Sequence, residues 1–199
     1  MNVIAHSLLI DGSFRLDDRE LLRSSGTMED MFRACYKAMA MDYPKFHKMD
    51  APSKLAVLVT EPLLQRARQE GADLENRTGL LGISHCGSTV TDQEHWDIRR
   101  GTGLASPAVF VYTLPNIGLG EITIRHRIFG SSLCLLDHEP KTELVLRSIR
   151  VLHERDRMEW IVCLWSDIFA DRYDARAVLL GPGPGAPADA NTLRTLIST

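Results

Sequence analysis

Every apolar run in this chain is short enough to be one strand, and each is closed by a turn or a helix-capping signal. Residues 4–10 are apolar and partly β-branched and stop at Asp11-Gly12. Residues 80–85 follow Thr78-Gly79 and end at Cys86-Gly87-Ser88, and 131–136, 160–165 and 175–180 are built alike. Between these runs the apolar spacing changes to three and four. Met31, Phe32, Cys35, Tyr36 and Met39 predict a helix from Met28 that Tyr43-Pro44 ends, and Asp50 with Pro52 starts a second helix running to about Gln69. Pro62 is expected to bend or split that helix, and Gly71 marks its exit. Ser106-Pro107 repeats the cap, and Pro115-Asn116 starts a helix over 117–127 in which Gly118 and Gly120 imply close packing. Pro140 opens a helix reaching about Arg155. Residues 11–27 read as loop. Five strands alternating with helices predict an α/β domain with a mainly parallel sheet and right-handed crossovers.

A chain of 199 residues accommodates one domain with a real core. We place that domain at residues 1–181, followed by a Gly/Pro spacer and tail over 182–199. With 23 Lys+Arg against 26 Asp+Glu the chain carries no basic footprint, so nucleic acid is not an expected partner. No run approaches the ~20 residues of a membrane span. The first residues lack a basic flank and a cleavage site, and a cytoplasmic location is expected. Cys35, Cys86, Cys134 and Cys163 share no metal-ligand spacing, so neither a metal, a cofactor nor a disulfide framework is expected.

The run from Ser106 to Gly130, with Pro115-Asn116, Gly120 and a closing Gly130 around an Ile-rich helix, resembles the β-ketoacyl-acyl-carrier-protein synthases. Phe46-His47-Lys48-Met49-Asp50 is similar to the lead-in of ketosynthases of the aryl-polyene and flexirubin type. The resemblance implies the N-terminal half of a thiolase-type fold, a five-stranded mixed sheet flanked by helices, with the second half and its two catalytic histidines missing. It also implies that Ser131, Ser132, Leu133, Cys134, Leu135 and Leu136 form the strand that pairs with its twin across a dimer axis. The family's nucleophilic cysteine, which heads the next helix, falls on His138-Glu139. That departure removes the nucleophile while Asp137, Glu139 and Pro140 keep helix-start chemistry.

No other residue replaces it cleanly. Cys134 lies inside an apolar strand, and His85 and Cys86, as strand neighbours, point to opposite faces. His126 and His138 are candidates for lining one region. The helix after the site can be tested by its pattern: Leu144, Val145, Leu146, Ile149, Val151 and Leu152 cover roughly 220° of arc and Glu143, Arg147, Arg150 and Glu154 about 60°. Such an arc leaves more apolar surface than one sheet hides and predicts dimerisation or docking.

These features point to a non-condensing, ketosynthase-like accessory protein of fatty-acid or polyketide synthesis. It would act as a homodimer or with a full ketosynthase, in the manner of a chain-length factor. Acidic acyl carrier protein is a further expected partner, facing Arg99, Arg100, Arg125 and Arg127. The alternatives are a malonyl-carrier decarboxylase using Glu139 and a purely structural homodimeric scaffold.

Overall fold

β1 (Asn2–Ile10) forms where the sequence predicts the first strand, and the chain then reverses twice into β2 (Ser13–Leu16) and β3 (Arg19–Arg23). The computed structural model describes residues 1–197. The hairpin β2–β3 replaces the loop expected over 11–27. Its turn uses no glycine: Asp17 adopts a left-handed φ of 50°, and its carboxylate accepts a hydrogen bond from the His6 amide at 2.8 Å.

α1 (Met28–Ala38) starts from a reciprocal capping box between Thr27 and Asp30 and buries Met31, Phe32 and Cys35. After a 3-10 turn at Pro44–Lys48, α2 (Ala51–Gln69) begins where the Asp50 carboxylate accepts the Ser53 amide at 3.0 Å. Contrary to expectation, α2 runs unbroken through Pro62. Side chains serve the turn that proline weakens: the Ser7 hydroxyl donates to the Val59 carbonyl, three residues before it, and Thr60 Oγ1 to the Ala56 carbonyl at 2.8 Å.

β4 (Thr78–Ser84) is followed by a helix the apolar spacing did not announce, α3 (Thr89–Thr102), then by α4 (Pro107–Phe110), capped by Ser106, and α5 (Ile117–His126). β5 (Ser132–Leu136) precedes α6 (Thr142–Arg150), which continues as a π-helical turn over Val151–Arg155. The chain closes with the hairpin β6 (Trp160–Phe169) and β7 (Arg172–Gly181), a two-residue strand β8 (Ala186–Pro187) and α7 (Ala190–Ile197).

The strands join in the order β3-β2-β1-β7-β6-β4-β5, with β8 added to β1. Among the described residues eight strands are present rather than five. The five expected ones are all there; β2, β3 and β8 are the additions. Only β4–β5 and β4–β6 are parallel, while β1–β2, β2–β3, β1–β7, β1–β8 and β6–β7 are antiparallel. The sheet is therefore mixed, not mainly parallel, because tight turns join β1 to β2, β2 to β3 and β6 to β7, and a tight turn can only return antiparallel.

Strand alternation builds one core on each face of this sheet. Val162, Leu164, Ala175, Ala177 and Leu179 face α1, α2 and α5; Ile161, Cys163, Trp165, Val178 and Leu180 face α6 and α7. On the second face the structure corrects an expectation. The apolar arc of α6 does not stay open, because Leu193 and Ile197 of α7, both fully buried, pack into the same core as Val145, Ile149 and Leu152. Glu143, Arg147 and Arg150 remain in solvent, as a solvated charged seam requires.

The motif glycines divide by packing. A Cβ on Gly130 would stand 2.1 Å from the Thr78 carbonyl oxygen, and one on Gly118 3.3 Å from Ala56 Cβ, so both permit a close approach. Gly120 meets nothing within 4 Å, and the close packing expected there is absent.

Candidate functional site

The connection from β4 to β5 runs over the face that carries α5, and the one from β5 to β6 over the face that carries α6. Helices leaving neighbouring parallel strands on opposite faces open a crevice at the strands' C-terminal ends, the usual ligand position in α/β sheets. Residues 84–88 and 137–141 meet there.

Asp167 on β6 organises the β4 exit. Its carboxylate accepts the Ser84 hydroxyl at 2.6 Å and the amides of His85 and Cys86 at 3.0 and 2.9 Å. The Asp137 amide donates to the Ser84 carbonyl at 3.1 Å, which ties the β5 exit to the β4 exit. Across this junction His85 and His138, both exposed, bring their Nδ1 atoms to 3.0 Å. Lys141 holds Asp137 at 2.8 Å, a contact that keeps the Asp137 carboxyl below the usual carboxylate range.

α6 starts later than Pro140 suggests: Lys141 is its N-cap and Thr142 its first residue. Glu139 is exposed and lies outside the helix, and its carbonyl accepts the Lys141 amide at 2.8 Å. His138 lies at His85, whereas His126 is buried against Glu61 at 3.1 Å, so the structure does not bring the two histidines together. His85 likewise finds its ring partner in His138, not in its neighbour Cys86.

Burial raises the Cys134 thiol, and burial together with the Asp167 charge raises that of Cys86. Cys35 and Cys163 are pushed by burial up to about 12. None of the four is set up as a thiolate at neutral pH. Cys134 lines a cavity of about 50 Å³ with Asp50, Ser53, Gly82, Tyr112 and Pro115. That space holds a few water molecules, well short of the roughly 300 Å³ at which small-molecule pockets begin.

A second polar cluster was not visible as a site in the sequence. Glu61, a carboxylate inside the apolar stretch of α2, receives Arg125 Nε and Nη2 at 2.6 and 2.7 Å, His126 Nε2 at 3.1 Å and Gln65 Nε2 at 2.9 Å. Its only sequence signal is a charge in the middle of residues 55–64. Arg125, expected among the arginines facing an acidic carrier, instead has its side chain largely buried on Glu61. Arg127 reaches Glu75 at 3.2 Å, and Arg99 lies over the Trp96 ring at 5.9 Å. Burial pushes the Glu61 carboxyl up, but the hydrogen bonds from Arg125 and His126 outweigh it and hold it at about 2. Burial lowers His126, more than Glu61 can raise it.

Both shifts remove stability in acid. Each group has a lower pKa folded than unfolded, so the unfolded chain binds the extra protons as pH falls. The melting temperature should decline first below the ordinary histidine value of 6.5, through His126, and again from 4.5 towards 2, through Glu61. Each group contributes a slope of at most about 1.4 kcal/mol per pH unit. Melting curves between pH 7.5 and 5.5 check the first step: His126→Gln should flatten the wild-type decline, and an unchanged slope would contradict it.

Neither a family model nor a curated protein sequence matches the chain significantly. Solved structures do. A chain of the ketosynthase (ApeO) in complex with its chain length factor (ApeC) from Xenorhabdus doucetiae matches at a TM-score of 0.58 and 14% identity, over 98% of this chain and 90% of that one. The ishigamide ketosynthase/chain length factor matches at 0.64 and 13% identity, over 89% of this chain. A third match is to a complex of a type II PKS acyl-carrier protein (AntF) with its ketosynthase (AntDE) bound to the hexaketide, at 0.58 and 11% identity over 91% of this chain. The chain spans 61% and 62% of the last two. It thus has the α/β fold of ketosynthase and chain-length-factor subunits, as the Pro115-Asn116 to Gly130 run led us to expect.

Proposed function

We propose that the chain is a non-condensing, chain-length-factor-like subunit of polyketide or fatty-acid-type synthesis that pairs with a ketosynthase through β5. The observation that carries this reading is the place of β5 at the edge of the sheet, where among the described residues it pairs with β4 alone. Its outer side presents unpaired backbone donors and acceptors to another strand. Ser132 and Leu136 are exposed at its two ends. Leu136 lies beside Pro115 across Gly87, and beyond them Phe110, Val111 and Leu114 are each more than half exposed, so the edge continues into apolar surface. Further support comes from a match running nearly end to end with a chain of a ketosynthase–chain length factor complex, and from the lack of a cysteine at the head of α6. Acyl carrier protein would reach such a subunit as part of the assembled pair.

Co-expression with candidate ketosynthases followed by size-exclusion chromatography tests the pairing. A co-eluting complex is expected. Ser132→Lys with Leu136→Asp, which puts two charges on exposed ends of the edge strand, should weaken it by more than about tenfold while leaving the monomer folded. A chain that stays alone with every ketosynthase defeats the proposal, and one that forms only a homodimer favours the scaffold alternative.

A further inference from the structure

We propose that His85 and His138 form a two-histidine chelate for a divalent transition-metal ion such as Ni²⁺, Cu²⁺ or Zn²⁺. The inference is independent of any partner, because both ligands belong to this chain and neither lies on β5. The Nδ1 atoms stand 3.0 Å apart, with ring centroids at 4.7 Å and planes inclined by 41°. Two imidazole nitrogens bonded to one metal at about 2.1 Å are about 3.0 Å apart at a right angle and about 3.4 Å apart at the tetrahedral angle. The observed spacing matches the first, and a shift of a few tenths of an ångström reaches the second.

The backbone holds this spacing before any ion arrives. The His85 amide is fixed on Asp167 at 3.0 Å, the His138 amide on Asp137 Oδ1 at 2.8 Å, and the Asp137 amide on the Ser84 carbonyl. Both rings are exposed, so an ion enters without opening the fold. The location is the crevice between β4 and β5, where an α/β sheet presents ligands. Asp167 and Asp137 place two negative charges beside the pair, one of them partly balanced by Lys141.

Imidazole favours nickel, copper and zinc over magnesium and calcium. In the free chain one Nδ1 carries the proton that it donates to the other; when the metal takes both Nδ1 atoms, that ring carries its proton on Nε2 instead, so two neutral imidazoles bind the ion with no net proton release. No group of three or more metal-ligating side chains occurs among the described residues, so the remaining coordination positions belong to water or to an incoming ligand atom.

The test is a calorimetric titration of the tag-free full chain with NiCl2. One ion per chain is expected. His85→Asn and His138→Asn should each weaken binding by about ten- to a hundredfold, whereas His6→Asn leaves it unchanged and MgCl2 gives no signal. Circular dichroism verifies that the variants remain folded. Absence of binding to the wild-type chain at millimolar nickel, or equal binding by wild type and both variants, overturns the proposal.

Discussion

Replacing Glu61 by glutamine should destabilise the chain by about 3–5 kcal/mol, enough to lower the melting temperature by roughly 10 °C for a chain of this size. The side chain is 2% exposed and receives four donors from three residues, two of them on α5. Glutamine is nearly isosteric, so the change leaves packing intact and removes only the charge. Arg125, 13% exposed at its side chain, then keeps a positive charge with no carboxylate on it, its neighbours being the amide oxygen of the substituted side chain, the Tyr43 ring at 4.9 Å and the Asp42 carbonyl at 3.4 Å. An orphaned buried charge, not the lost ion pair as such, is what costs so much. A second variant separates the two effects. Glu61→Leu combined with Arg125→Met removes both charges, and most of the stability lost in Glu61→Gln should return. Urea unfolding of the three proteins checks this, and a Glu61→Gln midpoint equal to wild type would show that Arg125 finds solvent instead.

The same carboxylate shows where the sequence can be read and where it cannot. Elements with an apolar period were legible: α1 from its stripe at three and four, α2 from Asp50 and Pro52, and the five apolar strands. α3 was not, because only Thr91 of its fourteen residues is buried and a polar helix has no stripe to read. Its signals were electrostatic and local, Asp92 in the first turn, Arg99 and Arg100 in the last, and Gly103 at a left-handed φ of 74° beyond it. Asp11-Gly12 marked the turn after β1, but β2 and β3 were hidden because they are only four and five residues long and the turn between them rests on Asp17 in a left-handed conformation, a position more often given to glycine or asparagine.

The candidate site was legible only in part. That no cysteine heads α6 follows from the residues alone. The meeting of His85 with His138 does not, because 53 residues separate them and only the parallel register of β4 with β5, Ser84 opposite Leu136, brings their strand exits together. Glu61 with Arg125 needed the packing of α2 on α5 in the same way. Pairings between distant residues are set by topology, which local periodicity does not encode.

Leu193→Ala with Ile197→Ala should cost roughly 4 kcal/mol and expose the second core, because α7 is what closes the face that α6 leaves open. Both side chains are fully buried, in a core with Val145, Ile149, Leu152, Val178 and Leu180. Each removes up to about three methylene-sized groups from the interior, and a surface helix relaxes enough to put the sum near the lower end of the usual range. The effect bears on how the second face of the sheet is covered. In a complete ketosynthase the resemblance places the counterpart of α6 between two sheets; here one face of α6 meets the sheet, its charged seam meets water, and the tail covers apolar surface that would otherwise stay open. Residues 182–189, within the stretch read as spacer and tail, deliver that cover, with β8 pairing Pro187 to Asn2 and Asp189 accepting the Thr192 amide at 2.9 Å to start α7. If this is the tail's task, the double variant should bind a hydrophobic dye and lose cooperativity at a lower urea concentration, while Leu196→Ala, only partly buried against the same core, should cost far less. A double variant as stable as wild type would mean that the second core closes without α7, and that the apolar arc of α6 is shielded by the sheet alone.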